Sequence, residues 1–283
     1  MKYRPDIDGL RAIAILFVLF FHGGFKLFPS GFIGVDIFFV ISGFLITSLI
    51  YGALQTNSFS LSEFYTRRLW RLQPAFLCLI VVTALLALWF YLPEDLVKYF
   101  KSARKTSLFI SNNFFERVTN DYFSPSNNQL PLLHTWSLSI EWQCYLLLPV
   151  ALYALYKVFA KRFFTLIIYI LMALFFVFAL YGSAHYSSQS YYRLISRIFE
   201  FLAGACVAVN ANHKSYNKYS LNLIAISAVI VLFYIATRDH ISEGFPNWYA
   251  FLLCLATAVL IASGQSNPQP VITRWLSIKP LVF

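Results

Sequence analysis

The stretch Tyr3–His22, YRPDIDGLRAIAILFVLFFH, decides how the rest of the chain is read. Every residue from Ala12 to Phe21 is apolar, while Asp6, Asp8 and Arg11 precede that run and His22 closes it. A surface helix of a soluble domain hides one apolar stripe; a helix apolar all round belongs in lipid or deep in a core. Arg11 and His22 are about three turns apart, so they share a face, about 16 Å from each other along the axis. Asp8 is expected to cap the helix start. Ionisable groups within such a helix are costly and mark functional sites. Histidine can both take and give a proton near neutral pH, so His22 is the first catalytic candidate.

The whole chain shares this character. Of 283 residues, 59% are hydrophobic and 12% charged, with 30 Phe and 18 Tyr; the mean hydropathy is +0.65. A soluble domain is about one-quarter charged. The composition therefore predicts an all-α polytopic membrane protein. Eight apolar runs are candidate spans, at about 10–28, 34–53, 74–92, 138–158, 163–182, 194–211, 220–237 and 248–264. The last stretch, TRWLSIKPLVF, reads as the approach to a further span. The four cysteines lie in apolar runs without CxxC spacing, so they are read as small buried hydrophobes. No metal site is expected.

The net charge is +10. In a membrane protein this points to cationic loops and a phosphorylated ligand rather than to nucleic acid. The short loops with Lys2 and Arg4, Arg67 to Arg71, Lys157 to Arg162, and Lys214 and Lys218 fall on one side. The positive-inside rule then places the N-terminus in the cytoplasm. DLVKYFKSARKTSLFI, in the long loop after the third run, is expected to lie on the membrane surface. His185, His213 and His240 fall in loops and receive no role.

Four further clusters carry possible chemistry. In GFIGVDIFFVISGFLIT, Asp36 lies near the start, the outer end, of the second run, where it either orients His22 or caps its own helix, and Gly34 and Gly43 permit close helix approach. In EFYTRRLWRLQP, Arg68 and Arg71 share a face before Pro74, either as guanidinium forks for phosphate or as the basic anchor of the third span. LLHTWSLSIEWQCY brings His134, Ser137, Ser139 and Glu141 to the start of the fourth span, the serines as helix caps and Glu141 as an acid at membrane depth. In SRIFEFLAG, Arg197 and Glu200 are one turn apart and are expected to pair.

Taken together, YRPDIDGLRAIAILFVLFFH, FIGVDIFFVISGFLIT, FYTRRLWRLQP, LLHTWSLSIEWQCYLLLP and SRIFEFLAG resemble, in order, the blocks of the acyltransferase-3 family of integral membrane O-acyltransferases. The opening most resembles that of bacterial enzymes that O-acetylate lipopolysaccharide O-antigen or related surface glycans. The resemblance implies about ten helices in the full domain, a bacterial inner membrane location and acetyl-CoA or another acyl-CoA as donor at the cytoplasmic face. It also implies a cell-surface or lipid-linked glycan as acceptor. It maps the family's Arg-x10-His pair onto Arg11 and His22, its CoA-holding Arg-x-x-Arg element onto Arg68 and Arg71, and the Glu of its Trp-Ser-Leu block onto Glu141. On this reading Arg11 helps Arg68 and Arg71 hold the donor, and His22 is the general base or a transient acyl carrier; the placement of the residues adds Asp36 to orient His22, and His134 to shape the outer part of the path with Glu141. Position 142 is Trp where the family often has a second Glu. The family's later helices and its frequent SGNH hydrolase-like domain are expected to be missing. A proton-coupled transporter of an anionic lipid or metabolite would use the same His, Asp and Arg groups and is the alternative.

Overall fold

A computed structural model describes residues 3–119, 130–159, 161–210 and 217–282. Lys2, His213 and Lys214 lie outside them. The elements are α1 (Pro5–His22), a 3-10 turn (Gly31–Ile33), α2 (Gly34–Gln55), α3 (Leu61–Phe90), α4 (Pro93–Ser107), α5 (Ser111–Val118), α6 (Thr135–Val158) and α7 (Lys161–His185). They continue with α8 (Ser187–Tyr192), α9 (Leu194–Val209), α10 (Lys218–Ala236), α11 (Trp248–Ser263), α12 (Val271–Leu276) and α13 (Lys279–Val282). The described residues contain no strand. The protein is an all-α polytopic membrane protein.

Each of the eight apolar runs coincides with a helix over most of its length. By length and composition, five helices among the described residues can cross a membrane: Gly31–Gln55, Leu61–Phe90, Thr135–Val158, Phe163–His185 and Lys218–Ala236. Two boundaries differ from the sequence reading. Helix α1 begins at Pro5, which suits a first turn that needs no amide donor. Asp8 is therefore not the cap but lies in the first turn, 3.1 Å from Arg11. The helix stops at His22, ahead of Gly23 and Gly24, the latter at φ +73°. Helix α3 begins at Leu61, well before residue 74, because Ser60 caps it by accepting from the Glu63 amide at 3.4 Å. Pro74 sits inside the helix, as membrane helices tolerate. Arg67, Arg68 and Arg71 thus belong to the helix itself.

Helix α2 is the centre of the bundle. Residues from Phe39 to Phe44 are almost all buried, and neighbours α1, α6, α9 and α11 surround it. Its crossing with α9 is close because two glycines face backbone. A methyl on Gly43 would lie 2.0 Å from the Phe201 carbonyl oxygen, and one on Gly204 would lie 2.0 Å from that of Val40. Gly34 performs the same service against α1, where a methyl would meet the Ala14 carbonyl oxygen at 2.2 Å. By contrast α3 is largely exposed, packing lightly on α4 and α6.

Helix α4 is amphipathic. Tyr99, Ser102, Ala103 and Thr106 are buried, while Lys98, Lys101 and Arg104 point outward. A ladder of hydroxyls and amides ties α4 and α5 to the first turns of α6: Thr106 to Thr135 at 3.1 Å, Ser111 to Ser139 at 2.7 Å, and Gln143 to Asn112 at 2.8 Å. Ser139 is thus occupied in packing, and Ser137 donates to the His134 carbonyl oxygen at 3.1 Å. All four cysteines are free; Cys144, Cys206 and Cys254 are buried as expected, and Cys78 is exposed.

Candidate active site

Two helices running in opposite directions set out the polar groups. On α1, Arg11 and His22 share a face. On α6, Glu141 and Tyr145 lie two and three turns beyond His134, on one face. The antiparallel arrangement brings His22 beside His134, with ring centroids 4.3 Å apart and planes tilted by 64°. Phe21 packs edge-on against His22 at 4.9 Å. Both imidazoles are exposed rather than sealed in the core. Two histidines in contact provide a proton acceptor and a neighbour able to share the charge.

The opposite end is basic. Helix α3 lays Arg67, Arg68 and Arg71 along a pocket of about 520 Å³, closed on its other side by Leu49, Ser58 and Ser60. Arg67 is partnered by Glu63. Among the described residues no carboxylate pairs with Arg68; its guanidinium lies 5.8 Å from the centroid of the Phe64 ring and 5.1 Å from that of Tyr145. The structure therefore brings Arg68 and Arg71 together at one cavity. Arg11 lies near enough for its charge to be felt at Arg68, although its guanidinium is engaged by Asp8. A planar guanidinium free of a carboxylate, at the rim of a cavity, suits a phosphate oxygen pair.

Glu141 stands between the two ends, accepting hydrogen bonds from the hydroxyls of Ser42 on α2 and Tyr145 on α6. Its charge also reaches Arg68. Sequence reasoning found Glu141 but missed both hydroxyl partners. The spacing of Glu141 and Tyr145, one turn apart, was a legible signal. Ser42 was not, because its relation to Glu141 depends on how α2 docks.

Asp36 does not orient His22. Its carboxylate accepts from Arg197 Nη1 at 2.8 Å, and the same nitrogen reaches Glu200 Oε1 at 3.0 Å. The expected pairing of Arg197 with Glu200 is present, and Asp36 completes it. All three side chains are buried, and the guanidinium is boxed by the rings of Tyr191, Phe245 and Trp136 at 4.6, 4.9 and 5.6 Å. The physical reason is competition. A buried guanidinium needs anionic partners, and α2 and α9 cross so closely that Asp36 meets it first. Because Trp136 follows His134 by two residues, this cluster braces the start of α6 from behind.

Comparison with known proteins identifies the family. The model of the acyltransferase domain family matches residues 4–278. An uncharacterized protein of Haemophilus influenzae is 38% identical over 82% of this chain and 99% of its own length. O-acetyltransferase OatA of Staphylococcus aureus is 34% identical over the whole chain and 48% of its own length. Peptidoglycan O-acetyltransferase OatA of Listeria monocytogenes is 33% identical over 99% of the chain and 47% of its own length. The chain spans about half the length of these OatA relatives. No solved structure matches. With a match running from Arg4 to Ile278, over both the arginine pocket and the histidine pair, the chain belongs to the acyltransferase domain family of membrane proteins.

Proposed function

We propose that this chain is a membrane O-acetyltransferase that moves an acyl group from acyl-CoA at the arginine end to a glycan hydroxyl at the histidine end. The observation that carries this reading is a cationic cavity along α3, where Arg68 lies over the Tyr145 ring of α6, together with a histidine pair where α6 begins. The donor's phosphates sit on Arg68 and Arg71, with Arg11 adding positive potential. The pantetheine arm runs past Glu141, and the thioester carbonyl lies beside His22. His22 accepts the proton of the acceptor hydroxyl as its oxygen attacks the carbonyl carbon. CoA leaves as the thiolate and takes up a proton, and His134 shares the charge that builds on His22.

The arginine end faces the cytoplasm of a bacterial inner membrane in this reading, as the loop charges predict, and that is where acyl-CoA is available. The acceptor is a cell-envelope glycan. The chain's opening motif points to lipopolysaccharide or a related surface glycan, while the Listeria monocytogenes relative is named for peptidoglycan. A proton-coupled transporter would share the polar groups but would release no thiol. The test uses the full-length protein in vesicles with acetyl-CoA on the arginine side and either glycan on the other. Thiol release that depends on acceptor and disappears in His22→Ala is the expected result; acceptor acetylation at the wild-type level in that variant would overturn the reading.

A further inference from the structure

Tyr145 touches both halves of the site. Its hydroxyl donates to Glu141, and it lies 3.3 Å from the Ser42 hydroxyl, which donates to the same carboxyl oxygen. The three groups therefore form a closed triangle spanning α2 and α6. On the face of the same ring lies the Arg68 guanidinium, 5.1 Å from the centroid. Tyr145 and Ser42 are buried, whereas Glu141 and Arg68 are half-buried. The two fixed side chains thus hold the two accessible ones.

We propose that Tyr145 is a positioning residue with two separable tasks. Its ring holds Arg68 toward the phosphate pocket, and its hydroxyl, together with that of Ser42, holds Glu141 on the α6 face that leads to His134. The proposal rests on the donor reading above.

The phenol suits both tasks at once, because a cation meets the ring face while the hydroxyl points outward in the ring plane. A long arginine in an otherwise lightly packed helix would lose several rotamers on binding a phosphate. Stacking on a buried ring removes part of that cost in advance. The carboxyl has a parallel difficulty. A glutamate anchored only within α6 would swing with its own helix, and the bond from Ser42 ties it to the central helix α2.

The two tasks come apart in mutants of the full-length enzyme, followed by steady-state turnover of acetyl-CoA and direct CoA binding. Tyr145→Phe keeps the ring and loses the hydroxyl; kcat should fall about tenfold, the effect of one hydrogen bond to a charged group, with CoA affinity unchanged. Ser42→Ala should move kcat in the same direction and leave CoA affinity alone. Tyr145→Leu loses both functions and should in addition weaken CoA binding about fivefold, the size of a lost cation–π contact. Melting temperature and gel-filtration profile report folding, and Ser42→Ala, which removes one oxygen, still tests the carboxyl limb if Tyr145→Leu does not fold.

Unchanged kcat in Tyr145→Phe and Ser42→Ala, or equal loss of CoA affinity in Tyr145→Phe and Tyr145→Leu, would overturn the proposal while leaving the donor reading intact. A wild type that neither binds CoA nor releases thiol would overturn both.

Discussion

The imidazoles of His22 and His134 meet with centroids 4.3 Å apart although they belong to distant blocks of the chain. One closes α1 and the other immediately precedes α6, so two helix ends with opposite chain direction converge on one point. If the pair shares the proton of the attack, the two histidines are not equivalent. His22→Ala should remove turnover altogether. His134→Ala should lower kcat by about 10²-fold, the lower range for a proton-transfer partner, with the KM for acyl-CoA unchanged. Acceptor-dependent thiol release checks both.

At the arginine end, a single positive charge is not enough. Arg68 has a planar fork stacked between Phe64 and Tyr145, a geometry an ammonium does not reproduce. Arg68→Lys should therefore weaken CoA binding nearly as much as Arg68→Ala, about tenfold in each case for a lost charge-assisted contact. Titration with CoA, with kcat measured at saturation, tests this; a lysine variant binding as tightly as wild type would reduce Arg68 to a point charge.

The cluster of Arg197, Asp36 and Glu200 makes a prediction about folding rather than chemistry. Removing one partner of a buried ion pair strands a charge and costs about 3–5 kcal/mol. Asp36→Ala and Arg197→Met should each lower the thermal midpoint in detergent and reduce the yield of folded protein. The fraction that folds should keep its specific activity in Asp36→Ala if the residue is a brace. A fully folded but inactive Asp36→Ala protein would restore it to a catalytic role.

The α2–α9 crossing gives a purely steric test. Gly43→Ala and Gly204→Ala each place a methyl about 2.0 Å from a backbone carbonyl oxygen, with no flexible side chain available to yield. Overpacking of this kind costs about 1–3 kcal/mol. Gly52→Ala, in the same helix with open space around it, should leave the thermal midpoint unchanged and serves as the control.

How much of this was legible in the residues differs from one element to the next. Hydropathy alone located all eight apolar helices, because water-to-lipid transfer depends on composition over about twenty residues and little on partners. Helical periodicity also placed Arg11 with His22, Arg68 with Arg71, and Arg197 with Glu200, since each pair lies on one helix and 3.6 residues per turn determines its relation. The apolar run at 74–92 marks only the later part of α3, because the helix begins in a polar stretch, at the Ser60 cap, that hydropathy does not register.

Relations between helices were out of reach. Asp36 looked equally able to face His22 or to cap α2, and only the close crossing permitted by Gly43 and Gly204 delivered it to Arg197. The contact between His22 and His134 depends on how α1 docks on α6, and the bond from Ser42 to Glu141 on how α2 and α6 are rotated about their axes. Which segments are helices, and which polar groups share a helix face, follow from local geometry and from transfer into lipid, and so can be read from the residues. Which face meets which is governed by side-chain packing and by the need of each buried charge for a partner, and so emerges only when the helices are assembled.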